Sequence, residues 1–289
     1  MALSAPALAD APWVSYPLGL VPSTWDGLLY NASAVSLAAL PPAVDLSAHL
    51  PPIGDQGRQG SCVGWALGYY YKGFQESVER SWSMTDVGHQ FSPAYLYNQR
   101  NTDDCAGTSG MSLRGGMTIL RDKGAASLAA FPYNANDPCT LPSADVMAAA
   151  WEYRIVDFAP LFLGAGTADV AVLKALLARG EPFVLSVPVY SGFYRVSASA
   201  PVVERPAAGE ERRGGHALFV VGYDDARGGF LVVNSWGVDW GVDGRGYLSY
   251  EFVQHDATEA WVMTDHVGEG APQPSEWRTW LPISASSSH

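Results

Sequence analysis

The chain has 289 residues, with 17 Lys and Arg against 29 Asp and Glu, a formal charge of -12, 48% apolar residues and 16% charged ones. That composition excludes a disordered chain. The acidic balance argues against nucleic acid as a partner, because phosphates are bound by Lys and Arg. No apolar run reaches the roughly eighteen residues that a membrane-spanning helix needs.

The length suits one large domain or two small ones. Met1 to Asp10 is small and apolar, lacks a basic leader and is short for a signal peptide, so it reads as a trimmed remnant of one or as a flexible start. Pro6, Pro12, Pro17, Pro22, Pro41 and Pro42 interrupt any long helix across residues 1–44. Trp13, Tyr16, Leu18, Leu20, Trp25, Leu28, Leu29 and Tyr30 nevertheless make the segment too apolar for a solvated tail, and it is expected to pack on the body of the chain. That body opens at Val44-Asp45-Leu46. A helix is predicted from Ser61, as N-cap, to about Arg80, with Trp65, Leu67, Tyr69, Tyr70 and Phe74 on its buried face. Gly64 and Gly68 are poor helix formers, and fit there if this helix is central and closely packed. Ser92-Pro93 opens a second helix. Ser112 to Lys123 forms a third, closed by Gly124, and Thr167 to Arg179 a fourth, closed by Gly180. The pattern then turns to short β-branched and aromatic runs: Phe183–Tyr190, Ala217–Tyr223, Phe230–Asn234, Gly246–Tyr250 and Ala260–Met263. Helices in the first half and strands in the second predict an α+β fold with an antiparallel β half. The tail Ala285–His289 reads as disordered.

Chemistry concentrates at two places. Gln56-Gly57-Arg58-Gln59-Gly60-Ser61-Cys62 offers a thiol at a helix start, where unpaired N–H groups and the helix dipole favour a thiolate. Taken alone, Cys62 could as well be an inert buried cysteine. Far downstream, Gly214-Gly215-His216 opens one strand, and Asn234-Ser235-Trp236-Gly237 closes the next. Asp224 to Gly229 reads as the turn between them, which sets His216 and Asn234 equidistant from it and hence facing each other across the hairpin. An imidazole so held by a carboxamide can serve as base to a thiol. Trp236 could cover that contact from water. The Gln56 amide and the Cys62 N–H could hold the oxyanion of a tetrahedral intermediate. If Cys62 is the nucleophile, Cys105 and Cys139 remain either as one pair or as two free thiols; a pair would suit a secreted or periplasmic protein better than a cytoplasmic one.

Asp55-Gln56-Gly57, Gly60-Ser61-Cys62, Gly214-Gly215-His216-Ala217 and Asn234-Ser235-Trp236-Gly237 together resemble the papain-like cysteine peptidases. His216 lies about 150 residues after Cys62, at the edge of that family's spacing. The resemblance runs from about Val44 to Val262. It implies a two-lobed fold, with a helical lobe over about 45–160, a β lobe over about 161–270 and the groove between them, in a peptidase domain of 45–284. It implies peptide-bond hydrolysis by Cys62, His216, Asn234 and Gln56 through a thioester. Ser92-Pro93, Gly110-Met111-Ser112-Leu113, Phe131-Pro132-Tyr133 and Cys139 echo the family's helical lobe. By that likeness Gly110 lies on the substrate backbone and Met111 and Ser112 near the S2 pocket, with Gly215 and Trp236 also at the groove. Departures stand beside the match. Val63-Gly64 precede Trp65 where relatives set an aromatic close after the nucleophile, and Gln59 replaces a partner cysteine. The form Gly-Ser-Cys-Val-Gly-Trp-Ala resembles bacterial branches of the family, the xylellain-like one among them. Residues 1–44 are shorter than typical pro-regions and are expected to act as a short propeptide or a retained flap over the groove.

No zinc spacing, phosphate loop or ordered calcium-ligand series is present, so no metal or cofactor is implied. The expected partners are a peptide or protein substrate and the chain's own residues 1–44, with the molecule acting as a monomer. The same site could serve an exopeptidase or a transpeptidase. A silent binding module would have no need for the full set of residues.

Overall fold

A computed structural model describes residues 16–32, 39–100 and 103–266. The Met1–Asp10 stretch, Trp13 and the tail Ala285–His289 lie outside them. Strand β1 (Ala43–Asp45) is followed by a central helix α1 over 62–80. Its middle part, Trp65–Lys72, is π-helical, a local widening that recurs near functional sites. The expected Ser61 cap is not made: the Ser61 hydroxyl hydrogen-bonds the Tyr133 hydroxyl instead. Close packing does explain the helical glycines, since a Cβ on Gly64 would lie 2.6 Å from the Pro93 carbonyl oxygen.

Helices α2 (Pro93–Tyr97) and α3 (Leu113–Lys123) are capped by Ser92 and Ser112, whose hydroxyls accept from the N–H groups of Tyr95 and Gly115. Helix α4 (Ala144–Ala150) was not foreseen; its Ala-rich sequence carries little periodicity. Strand β2 (Ile155–Leu163) was also missed, and it begins before the expected lobe boundary. Helix α5 (Val170–Ala178) starts three residues later than predicted because Asp169 caps the N–H groups of Ala171 and Val172. The remaining strands are β3 (Phe183–Val189), β4 (Val202–Val203), β5 (Gly214–Asp224), β6 (Gly229–Val233), β7 (Arg245–Ser249) and β8 (Glu259–Asp265), with helix α6 (Tyr250–Asp256) before the last.

The eight strands form one sheet in the order β2-β8-β3-β5-β6-β7-β4, with β1 on β5. Pairing is antiparallel except between β4 and β7. One face, including Phe219, Val221, Leu231 and Trp261, packs on the central helix and its neighbours. The other, including Leu218, Val220, Val232 and Phe230, joins Leu173, Leu177, Phe252, Trp236 and Trp240. The molecule is thus α+β and two-lobed. Among the described residues no helix is long and apolar enough to cross a membrane.

Cys105 and Cys139 form a disulfide, which leaves Cys62 free. A buried ion cluster ties the central helix to the last strand. The Lys72 ammonium contacts Glu76 at 2.7 Å and also Asp265, and Arg80 pairs with Glu76 at 2.5 Å.

Candidate active site

The start of the central helix and strand β5 meet at the groove. Cys62, fully buried, opens the helix, and the backbone N–H of Ala217, the residue after His216, reaches its thiol. The N–H groups of Gly19, Val63 and Cys62 itself also favour the thiolate, but burial outweighs them and pushes the thiol up to about 11.

His216 and Asn234 come together, although not by the direct pairing expected from the turn. Near the turn Tyr223 faces Phe230 and Gly222 faces Leu231, whereas farther along Val220 faces Val232 and Phe219 faces Val233. The extra residue, Val221, is a bulge. Carried one step on, this register sets Asn234 against Leu218, two residues from His216 and on the same face. Without the bulge the two side chains would lie on opposite faces, because a one-residue slip inverts every side chain. As built, His216 Nε2 lies 2.7 Å from Asn234 Oδ1. That oxygen also accepts from the Ser235 N–H at 2.8 Å. It is therefore an acceptor for His216 as well, which puts the ring proton on Nε2. Among the described residues the buried Nδ1 has no hydrogen-bond partner, and it keeps its lone pair. Burial pushes the imidazole down to about 4, against the Asn234 contact. Trp236 lies against the ring, with centroids 4.7 Å apart.

Gln56 is fixed at three points. Its N–H donates to the Ser235 carbonyl at 2.8 Å, its Oε1 accepts from the Ser235 hydroxyl at 2.8 Å, and its own carbonyl accepts from the Tyr133 hydroxyl at 2.7 Å. The Nε2 group is left to donate to the carbonyls of Gln59 at 2.9 Å and Pro17 at 3.1 Å. Ser235 and Tyr133 stood within the quoted motifs but were given no role. A hydroxyl next to the orienting Asn was the available signal.

Residues 16–24 lie in the groove. The Gly19 carbonyl accepts from the Met111 N–H at 2.9 Å, the Val21 N–H donates to the Met111 carbonyl at 3.1 Å, and the Leu20 N–H donates to the Gly215 carbonyl at 3.2 Å. Leu20 and Met111 pair in parallel. At the far end the Tyr16 hydroxyl donates to Asp55 and its ring meets Trp236 edge-on. Gly19 runs so close to Gly60 and Gly110 that a Cβ on it would collide with the Gly60 carbonyl. Of the expected groove residues, Gly110, Met111 and Gly215 thus touch this segment, and Trp236 meets it through the Tyr16 ring. Ser112 spends its hydroxyl on capping α3, and Trp236 covers His216.

Residues 40–261 match the family model described as papain family cysteine protease. Among solved structures, xylellain, a cysteine protease from Xylella fastidiosa, is similar with 28% identity and a TM-score of 0.71, over 86% of this chain and 96% of that one. Digestive procathepsin L 3 of Tenebrio molitor larval midgut is 20% identical with a TM-score of 0.64, over 89% of this chain and 77% of that one, a likeness of fold. An uncharacterized peptidase C1-like protein of Acanthamoeba polyphaga mimivirus is 27% identical over 73% of this chain and 69% of its own length. Cathepsin J of Mus musculus is 24% identical over 72% of this chain, and the match spans only 59% of that protein.

Proposed function

The chain belongs to the papain family of cysteine proteases, and on that premise we propose that Cys62, His216, Asn234 and Gln56 form the catalytic centre of an endopeptidase held latent by residues 16–24. The observation that carries this reading is the contact of His216 Nε2 with Asn234 Oδ1 at 2.7 Å. It leaves Nδ1 as the free basic atom on a ring whose neighbour, Ala217, touches the thiol through its N–H. Nδ1 takes the Cys62 proton, and the sulfur attacks the scissile carbonyl carbon. Gln56 Nε2 and the Cys62 N–H hold the oxygen as it becomes negative. Collapse expels the amine, which carries off the proton from His216. Water, deprotonated by the same ring, then hydrolyses the thioester. Gly110, Met111 and Gly215 form the walls along which a peptide backbone lies.

Latency follows from what the segment offers. The Pro17 carbonyl accepts from Gln56, while the sulfur meets the N–H of Gly19. The carbonyl at the oxyanion donor and the N–H at the thiol belong to different peptides, so the carbonyl that Gln56 holds is not that of the peptide at the sulfur. Burial keeps the thiol protonated and the imidazole neutral at pH 7. Residues 1–44 then serve as a pro-segment or flap, and 45–284 as the peptidase domain.

The test compares the wild type, Gly19→Leu and Cys62→Ala, all full-length, with an epoxysuccinyl reagent and a fluorogenic peptide panel. Leucine at position 19 cannot pass the Gly60 carbonyl and should lift the segment. Slow labelling of the wild type, fast labelling at Cys62 with hydrolysis in Gly19→Leu, and neither in Cys62→Ala are expected. Hydrolysis surviving Cys62→Ala would overturn the nucleophile, and equal rates in wild type and Gly19→Leu would overturn latency.

A further inference from the structure

A cavity away from the groove has no part in the mechanism. It measures about 400 Å³, at the lower end of small-ligand sites, which run from about 300 to 1,000 Å³. Three stretches close around it: residues 48–52, residues 77–85 at the end of the central helix, and Arg245 on β7. Ser77 stands roughly 20 Å along that helix from Cys62. The walls are held by the fold itself. The Tyr69 hydroxyl donates to the Pro52 carbonyl at 2.9 Å, the Gln90 amide to the Met84 carbonyl at 2.7 Å and the Ser77 hydroxyl to the Trp82 carbonyl at 3.3 Å. Leu50, Pro51 and Met84 make one side apolar. Arg245 supplies the charge. It is partly buried, and among the described residues no Asp or Glu forms an ion pair with it. Its Nη1 reaches the Asp243 carbonyl only at a long 3.4 Å, and its buried Nε–H has no acceptor among the described residues. A buried charged donor without an acceptor is costly, and a guest that supplies the acceptor removes that cost. The Ser83 and Thr85 hydroxyls, also on the wall, lie 2.9 Å apart. One donates to the other, which leaves the second proton for a guest.

We infer that this cavity is a binding site for a small carboxylic acid with an apolar body, its carboxylate on Arg245 and its body against Leu50, Pro51 and Met84. A carboxylate suits the guanidinium because its two oxygens accept in parallel from Nε–H and one Nη. A bare inorganic anion would answer the charge but leave the apolar wall wet. A neutral molecule of the same shape would leave the charged donor short of a strong acceptor. Neither Cys62 nor His216 lines the cavity, so the site stands apart from the catalytic reading. Its walls come from the helical lobe and from β7 of the β lobe. A guest therefore ties the two lobes together and stabilises the fold by mass action.

The experiment titrates the full-length protein with 3-phenylpropionate, reading occupancy by ligand-observed NMR and stability by melting temperature. The neutral 3-phenylpropanamide, acetate and inorganic phosphate are the comparisons. 3-Phenylpropionate should saturate one site per chain and raise Tm by at least about 2 °C. The amide, which lacks the charge, and acetate, which lacks the body, should each bind at least about tenfold more weakly. Arg245→Met should weaken 3-phenylpropionate at least about tenfold and leave the amide as it was. Thr85→Glu, at an exposed position on the wall, sets a like charge beside the guest and should weaken it as well. That second variant keeps the test decisive should Arg245→Met not fold. No saturable binding of 3-phenylpropionate would overturn the inference, since water would then satisfy Arg245. Binding that survives both variants would place the acid elsewhere and overturn it too. Phosphate or acetate binding as tightly as 3-phenylpropionate would overturn the apolar half, leaving a site for any anion.

Discussion

Asn234 does its work through one atom. Its Oδ1 holds the Nε2 proton of His216 and so dictates which ring nitrogen keeps its lone pair, the one the proposed mechanism uses as base. Asn234→Ala should lower kcat about 10²-fold, the scale of a positioned acid–base group, with KM little changed and Cys62 still open to alkylation. An unaltered kcat would show that the ring is oriented by something else. The buried imidazole also carries a pH signature. Its folded value of about 4 lies below the ordinary 6.5, so the unfolded chain binds the proton more tightly between them. The stability it contributes is complete above pH 6.5 and is lost as pH falls through 4. Cys62, pushed up to about 11, stays protonated throughout that window and adds no slope there. Melting temperature should therefore fall more steeply from pH 6.5 to 4 in the wild type than in His216→Gln. Matching slopes would mean that the ring titrates as if exposed.

Among the elements, most of the site was legible because its residues announce their neighbours. A thiol after Gly60-Ser61 asks for a helix start, and His216 and Asn234 flank one turn. The register between them was not legible: bulging at Val221 is a property of the paired backbone, and β-branched Val220-Val221 reads the same with or without it. Strand β2 was hidden by its alternation of half-buried residues with an internal Pro160, and α4 by alanines that mark no face. The central helix carries a different liability. Lys72 is fully buried and its ammonium neutralises Glu76 and Asp265, whose own carboxyl is raised by burial. Lys72→Met fills the same space but leaves the carboxylates short of a cation. It should cost about 3–5 kcal/mol at pH 7, read from the urea midpoint. A loss under about 1 kcal/mol would show that Arg80 suffices.

At the scale of the whole molecule the α+β division followed from the order of helical and strand-like runs, whereas the single sheet, which joins β1 from the first half to strands as late as β8, did not. Long-range pairing leaves no local mark. The disulfide fixes another long-range link, closing a separation of 34 residues. It steadies the loop whose Gly107 carbonyl accepts the Gly60 N–H at 2.8 Å, two residues before Cys62. The double variant Cys105→Ala/Cys139→Ala should lose about 3–4 kcal/mol by loop-closure entropy and be slower on peptides. An unchanged urea midpoint would mean that the unfolded chain gains no freedom from the missing bond. The attachment of residues 16–24 to this frame has a further effect. They continue into β1, which is hydrogen-bonded to β5 at the end of the strand remote from His216. If the segment acts as the proposed blocker, it meets its groove at a local concentration set by the length of chain between them, which for short flexible tethers is millimolar. Dilution of the protein leaves that concentration untouched. One cut in the tether turns the blocker into a separate ligand that washes away, so a single proteolytic event could convert a permanently occupied groove into one governed by ordinary mass action.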